Sequence, residues 1–119
     1  MSPGLQQPAF LVLSALAEGP LHGYGIVQAV AAASDGAVTL RIGTLYGALD
    51  RLAARGLVVV DREEVVDSRL RRTYRLTGEG ERVLRAEAQT LRARAERALA
   101  ALGRRSAPGA DVSGAGATA

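Results

Sequence analysis

The chain has 119 residues, 48% of them hydrophobic but only 3% aromatic, which fits one domain with a core built mostly of Leu, Val and Ala. Its 15 basic residues are all Arg and face 12 acidic ones, for a net charge of +3, which by itself is too small to identify a nucleic-acid partner. With no Cys and one His, a disulfide framework, thiol catalysis and Cys- or His-rich metal clusters are excluded, so no cofactor and no metal site is expected.

Residues 1–7 read as a short Gly- and Pro-containing leader. A first helix is predicted from Pro8 to Glu18. Pro8 suits the first helical position, where its missing N–H costs nothing. Leu11, Val12, Ala15 and Leu16 form an apolar stripe, and Gly19-Pro20 is a stop signal. The apolar run Ala9–Ala17 is far shorter than the roughly 20 residues that span a bilayer. It also lacks a basic flank, since no Arg precedes Arg41. The expectation is a cytoplasmic protein without a membrane partner.

A second helix is predicted over His22–Ala33, with Ile26, Val27 and Val30 at helical spacing. Gly23 and Gly25 weaken its first turn, and Ser34, Asp35 and Gly36 end it. The third helix has the clearest pattern: Leu45, Ala48, Leu49 and Leu52 stand at i, i+3, i+4 and i+7. Gly43, Gly47, Asp50 and Ala54 lie opposite and make a small, flat outer face. Arg55-Gly56 supplies its C-terminal signal.

Leu57–Val60 is a β-branched run that reads as a strand. Arg62–Arg72 reads as a charged connection, with Asp67-Ser68 as a turn. Thr73–Leu76 alternates, which puts Tyr74 and Leu76 on one face of a return strand. A last helix is predicted over 77–102, with Thr77 as N-cap and Glu79 and Glu81 favouring its positive end. Leu84, Ala88, Leu91, Ala95, Ala98 and Leu102 alternate steps of four and three, a heptad seam suited to a homodimer interface. Residues 103–119 hold almost no large apolar side chain and are expected to be a disordered tail.

Three helices followed by a hairpin give a mainly α fold with a small β-hairpin: a winged helix-turn-helix domain over residues 8–76, plus a long C-terminal dimerisation helix. Arg69, Arg71, Arg72 and Arg75 crowd the return strand with no acid between them. Such a wing suits phosphate or minor-groove contact with double-stranded DNA; a hairpin edge guarded by charge is the other reading. In this layout the third helix faces the major groove with Arg41, Thr44, Tyr46 and Gly47. Arg51, one turn on, reaches the flanking backbone. Tyr46 equally suits packing at the helix rim. His22 and Tyr24, at the start of the second helix, suit either a phosphate at that helix end or packing under the wing. No nucleophile–base pair and no phosphate-cradling loop is present, so no enzyme is expected.

Three blocks resemble PadR-family transcriptional regulators, in that family's order and spacing over roughly residues 9–85. They are Leu16-Ala17-Glu18-Gly19-Pro20-Leu21-His22-Gly23-Tyr24; Gly43-Thr44-Leu45-Tyr46 followed by Leu49, Arg51-Leu52 and Gly56-Leu57; and Arg72-Thr73-Tyr74-Arg75-Leu76-Thr77-Gly78-Glu79-Gly80. The resemblance implies a winged-helix regulator, usually a repressor, that acts as a homodimer through its C-terminal helix. The single such helix here places the chain with the shorter members. Gly47 departs from the family, where many relatives carry Pro, and the wing holds more acid near its tip.

A two-fold dimer is expected to bind an inverted repeat with half-site centres about 10 base pairs apart, or a multiple. Release needs a ligand that prefers another arrangement of the protomers. Some relatives bind small aromatic compounds near the dimer interface. With no Trp and one Phe in this chain, an Ala- and Leu-lined cavity for a small apolar effector is the better expectation. The competing reading is a winged-helix protein–protein interaction module that does not bind DNA.

Overall fold

The computed structural model describes residues 5–105. Helix α1 (Gln7–Leu16), strand β1 (Leu21–His22) and helices α2 (Gly23–Ala33) and α3 (Ile42–Ala54) come first. Strands β2 (Val58–Val66) and β3 (Arg69–Leu76) follow, and helix α4 (Gly78–Arg105) closes the order. The chain divides into two compact units, one ending at Glu87 and the other beginning at Ala88.

The first unit is built around the apolar faces of three helices. Val12, Leu13 and Leu16 of α1 meet Ile26 and Val30 of α2 and Leu45, Leu49 and Leu52 of α3. On α3 every residue of the expected stripe is buried, Ala48 included. On α1 the buried residues are Val12, Leu13 and Leu16. Leu11 and Ala15, expected in that stripe, are only partly buried, because the helix turns its Leu13 side inward. α1 starts at Gln7, inside the expected leader, and ends at Leu16, two residues before the expected stop.

Leu21 and His22 form a strand rather than the opening of a helix. They pair antiparallel with β3 (Leu21 opposite Tyr74, His22 opposite Thr73), giving a three-stranded sheet in the order β1-β3-β2. The expected two-strand hairpin is thus the larger part of a sheet. It is also longer than expected: β2 and β3 pair from Val58–Leu76 out to Val66–Arg69, so the charged Arg62–Arg72 stretch is strand on both sides of its turn. A register shift between Val60 and Arg62 marks a bulge. Asp67 and Ser68, at φ 52° and 64°, form the tight turn; two consecutive left-handed residues match the right-handed twist of the flanking strands.

α3 ends where Gly56 takes φ 76°, with the Leu57 N–H donating to the Leu52 carbonyl at 2.9 Å. Thr77 then fixes the start of α4. Its Oγ1 accepts from the Gly80 N–H at 2.9 Å and donates to the Gly56 carbonyl at 2.6 Å, while its own N–H donates to the Leu57 carbonyl at 3.1 Å. Gly80 is buried against that strand entry, and a Cβ there would run into the Leu57 carbonyl oxygen. Val83 and Leu84 pack against the core of the first unit.

In the second unit, α4 continues to Arg105, three residues beyond the expected end. Leu91, Leu99 and Leu102 are exposed there. The expected tail from residue 106 onward lies outside the described residues. No helix of the described residues is long and apolar enough to cross a membrane.

Candidate nucleic-acid interface

The β1–β3 pairing decides what faces what. It ties the start of α2 to the base of the long hairpin, and the first turn of α3 lies beside both. Between them is a groove of about 620 Å³. The α2 end contributes His22, Gly23 and Tyr24; α3 contributes Ile42 and Tyr46. The hairpin contributes Val66, Asp67, Arg69, Leu70, Arg71 and Arg72.

His22, Tyr24, Tyr46, Arg69, Arg71 and Arg72 are therefore brought to one place, as expected for a shared surface. His22 is the N-cap residue of α2, but its side chain makes no capping bond. Its ring lies against Gly25, about 3.5 Å from where a Cβ would stand. Tyr24 is exposed. Tyr46 packs at the helix rim and also stands in the groove. Its hydroxyl sits 2.6 Å from the position a Cβ would take on buried Gly23, and its ring still lines the groove.

Arg41, Thr44, Gly47 and Arg51 do not line this groove. They lie on α3 and its N-cap, with Arg41, Thr44 and Arg51 exposed and Gly47 half-buried. One guanidinium nitrogen of Arg51 stands 3.5 Å from the Cβ position of Gly47, so the side chain runs back along the helix over the gap that glycine leaves. The outer face of α3 is thus shallow at Gly43 and Gly47 and flanked by cations.

The four arginines of β3 are not equivalent. Arg72 donates to the Glu63 carboxylate at 2.7 Å, and Arg75 stands 3.2 Å from Asp61. The Glu63 hydrogen bond, and after it Tyr74, raise the Arg72 pKa further above its ordinary value. Arg62 is paired with Glu64 at 3.8 Å. Among the described residues no carboxylate pairs with Arg69, Arg71, Arg41 or Arg51. The acid noted in the wing therefore acts selectively: carboxylates of β2 pair with Arg72 and Arg75, nearer the base of β3, and not with Arg69 or Arg71. These exposed surface pairs hold little energy in themselves; their effect is on where positive potential remains.

Ile42 and Leu70 were not among the expected site residues. Both are exposed, at 51% and 58%, and with Tyr24 and Tyr46 they line the groove with apolar surface beside its arginines. In sequence, an isolated Ile or Leu beside charged residues looks like core, and only the fold shows that nothing covers it.

Comparison with known proteins agrees with this geometry. The model of the transcriptional regulator PadR-like family matches residues 12–86. An uncharacterised 37.1 kDa protein in transposon Tn4556 of Streptomyces fradiae is 42% identical over 81 residues, covering 68% of this chain and 22% of that protein. The chain thus spans about a fifth of the length of that curated relative. A crystal structure of a PadR family transcription regulator from Clostridium difficile R20291 superimposes with a TM-score of 0.69 at 25% identity, covering 82% of this chain and 100% of that one. Bacillus subtilis PadR in complex with operator DNA has the same fold, with a TM-score of 0.61 at 21% identity over 68% of this chain and 46% of that one.

Proposed function

This chain belongs to the PadR-like family of transcriptional regulators, and from that premise we propose that it is a homodimeric repressor that binds an inverted-repeat operator in double-stranded DNA. The family consists of regulators and not enzymes. The observation that carries the reading is the groove between α3 and the hairpin. Arg69 and Arg71 line it in no ion pair among the described residues, together with the apolar side chains of Tyr24, Ile42, Tyr46 and Leu70. Phosphates take the guanidinium groups, and Tyr24, Tyr46 and Leu70 suit the sugar faces of the same strand. The first turn of α3 enters the major groove beside it, with Arg41 and Thr44 leading.

Pairing through α4 completes the reading. Leu84 serves the core of the first unit, so the seam proper runs through Ala88, Leu91, Ala95, Ala98 and Leu102, all exposed in the single chain. Leucines supply bulk and alanines allow close helix approach. Two such protomers present two α3 helices to successive major grooves. Occlusion of a promoter represses, and a small apolar effector that favours another protomer arrangement releases the DNA. The place of work is the cytoplasm, with the chromosome.

The test is a mobility-shift titration of duplexes that the protein selects from a random-sequence pool, at low and at moderate salt. Binding at sub-micromolar dimer that weakens steeply with salt is expected. Failure to shift any duplex at micromolar dimer in low salt rejects the reading in favour of a protein–protein interaction module.

A further inference from the structure

Ile42 is the first residue of α3, and its side chain is half exposed at 51%. Arg41 has no carboxylate partner among the described residues. Gly43 has open space within 4 Å of where its Cβ would stand. Ile42 stands three and seven residues before Leu45 and Leu49, at the N-terminal edge of the apolar stripe of α3, but it is not among the residues packed in the core. It also continues an exposed apolar surface, since Tyr24, Tyr46 and Leu70 line the same groove. An apolar patch of this kind, beside unpaired arginines, marks a contact surface.

The edges of base pairs in the major groove are almost wholly hydrogen-bond donors and acceptors. The apolar exception is the C5-methyl group of thymine. We propose that Ile42 is a specificity-determining residue that packs on a thymine methyl, so that the operator carries a thymine beneath the first turn of α3 in each half-site. The inference rests on the DNA-binding reading and adds a base preference to it. Contacts from Arg69 and Arg71 to phosphate position the protein but carry no sequence information. Gly43 and Gly47 have no side chain with which to read a base. Ile42 does, and its branched Cβ restricts χ1, so little rotamer freedom is lost when the contact forms.

The experiment uses a duplex selected by the full chain from a random pool. Its affinity is compared with that of the same duplex carrying deoxyuridine for every thymidine, which deletes the methyl groups and keeps the pairing. Thymidines are then restored one at a time. The wild-type chain is expected to bind roughly fourfold more weakly for each methyl lost beneath α3, the factor for one buried methyl-sized group. Restoring one particular thymidine per half-site recovers that loss. Ile42→Ala binds the thymine duplex more weakly and responds less than twofold to uracil. Ile42→Val keeps most of the discrimination. Because Ile42 is outside the core, both variants melt as the wild type does.

Two results overturn the inference: a wild-type chain indifferent to uracil, or an Ile42→Ala variant that loses as much on uracil as the wild type. In the second case the side chain packs on sugars or on its own groove, and uracil acts through duplex shape. Failure to select any duplex is a different result and removes the DNA-binding reading itself.

Discussion

Gly23 shows how one missing methyl group can serve a surface and not a core. The Tyr46 hydroxyl lies 2.6 Å from the Cβ position of Gly23, but that hydroxyl is the outer end of a side chain that is itself 41% exposed. Gly23→Ala therefore moves the tyrosine and leaves the helix packing intact. Its melting temperature is expected within a few degrees of wild type, while affinity for a selected duplex falls about tenfold because Tyr46 is displaced in the groove. Equal losses in both measurements would show that Gly23 is a packing residue only. The charged residues divide in the same residue-by-residue way. Arg69→Ala with Arg71→Ala is expected to weaken binding to all duplexes alike. It should make the dependence of log K on log salt shallower by about 0.9 for each phosphate contact removed. Arg72→Ala has less to lose, since Glu63 already holds its guanidinium at 2.7 Å. The converse substitution is more telling: Glu63→Gln releases Arg72 and removes an acid from the interface. Tighter binding and a steeper salt slope are expected from it. An unchanged slope in a salt titration would mean that Arg72 does not face the duplex.

Elements differ in how openly they are written in the chain, and the reasons are physical. α3 was legible because it buries one face and exposes the other, so Leu45, Ala48, Leu49 and Leu52 fall at helical spacing and are buried. β1 was not, because two residues have no period; Leu21–His22 becomes a strand only by pairing with Tyr74 and Thr73 across the molecule. The outer hairpin was hidden for another reason. From Arg62 to Arg72 only Glu64 and Val66 are even partly buried and the residue types do not alternate between apolar and polar, so the pattern that marks a half-buried strand is absent from the sequence, and Val65 opposite Leu70 is the one apolar pair there. The site shared this asymmetry. Arginines and tyrosines announce themselves by type, whereas Ile42 and Leu70 needed the fold to show them uncovered. The entry to α4 was read correctly at Thr77 but not at Gly80, whose role depends on the Leu57 carbonyl above it. Gly80→Ala forces a Cβ against backbone that cannot swing aside, and a loss of about 1–3 kcal/mol is expected in urea unfolding. A neutral result would mean that the strand entry shifts freely.

At the scale of the whole molecule, the proposed dimer makes affinity depend on two weak grips acting together. A single groove contacts one stretch of backbone, and the contacts of one protomer are few. Linking a second copy makes its binding effectively intramolecular, which raises affinity by about 10²–10⁴ without any new contact. The proposed link is the exposed seam of α4, whose Leu91 belongs to the second unit and is not among the core residues. Leu91→Glu places a charge in the middle of that seam, where pairing would bury it unpaired. The variant is expected to run as a monomer by light scattering at concentrations where the wild type is a dimer. Its melting should change little, because the domain core does not use Leu91. Its affinity for a two-half-site duplex should fall to that of wild type for a single half-site. That last equality separates a dimer interface from a residue that merely stabilises the helix: a destabilised helix weakens both duplexes together, whereas a broken pair removes only the advantage of the second half-site. A variant that stays dimeric, with undiminished preference for two half-sites, would place the pairing surface elsewhere on the chain.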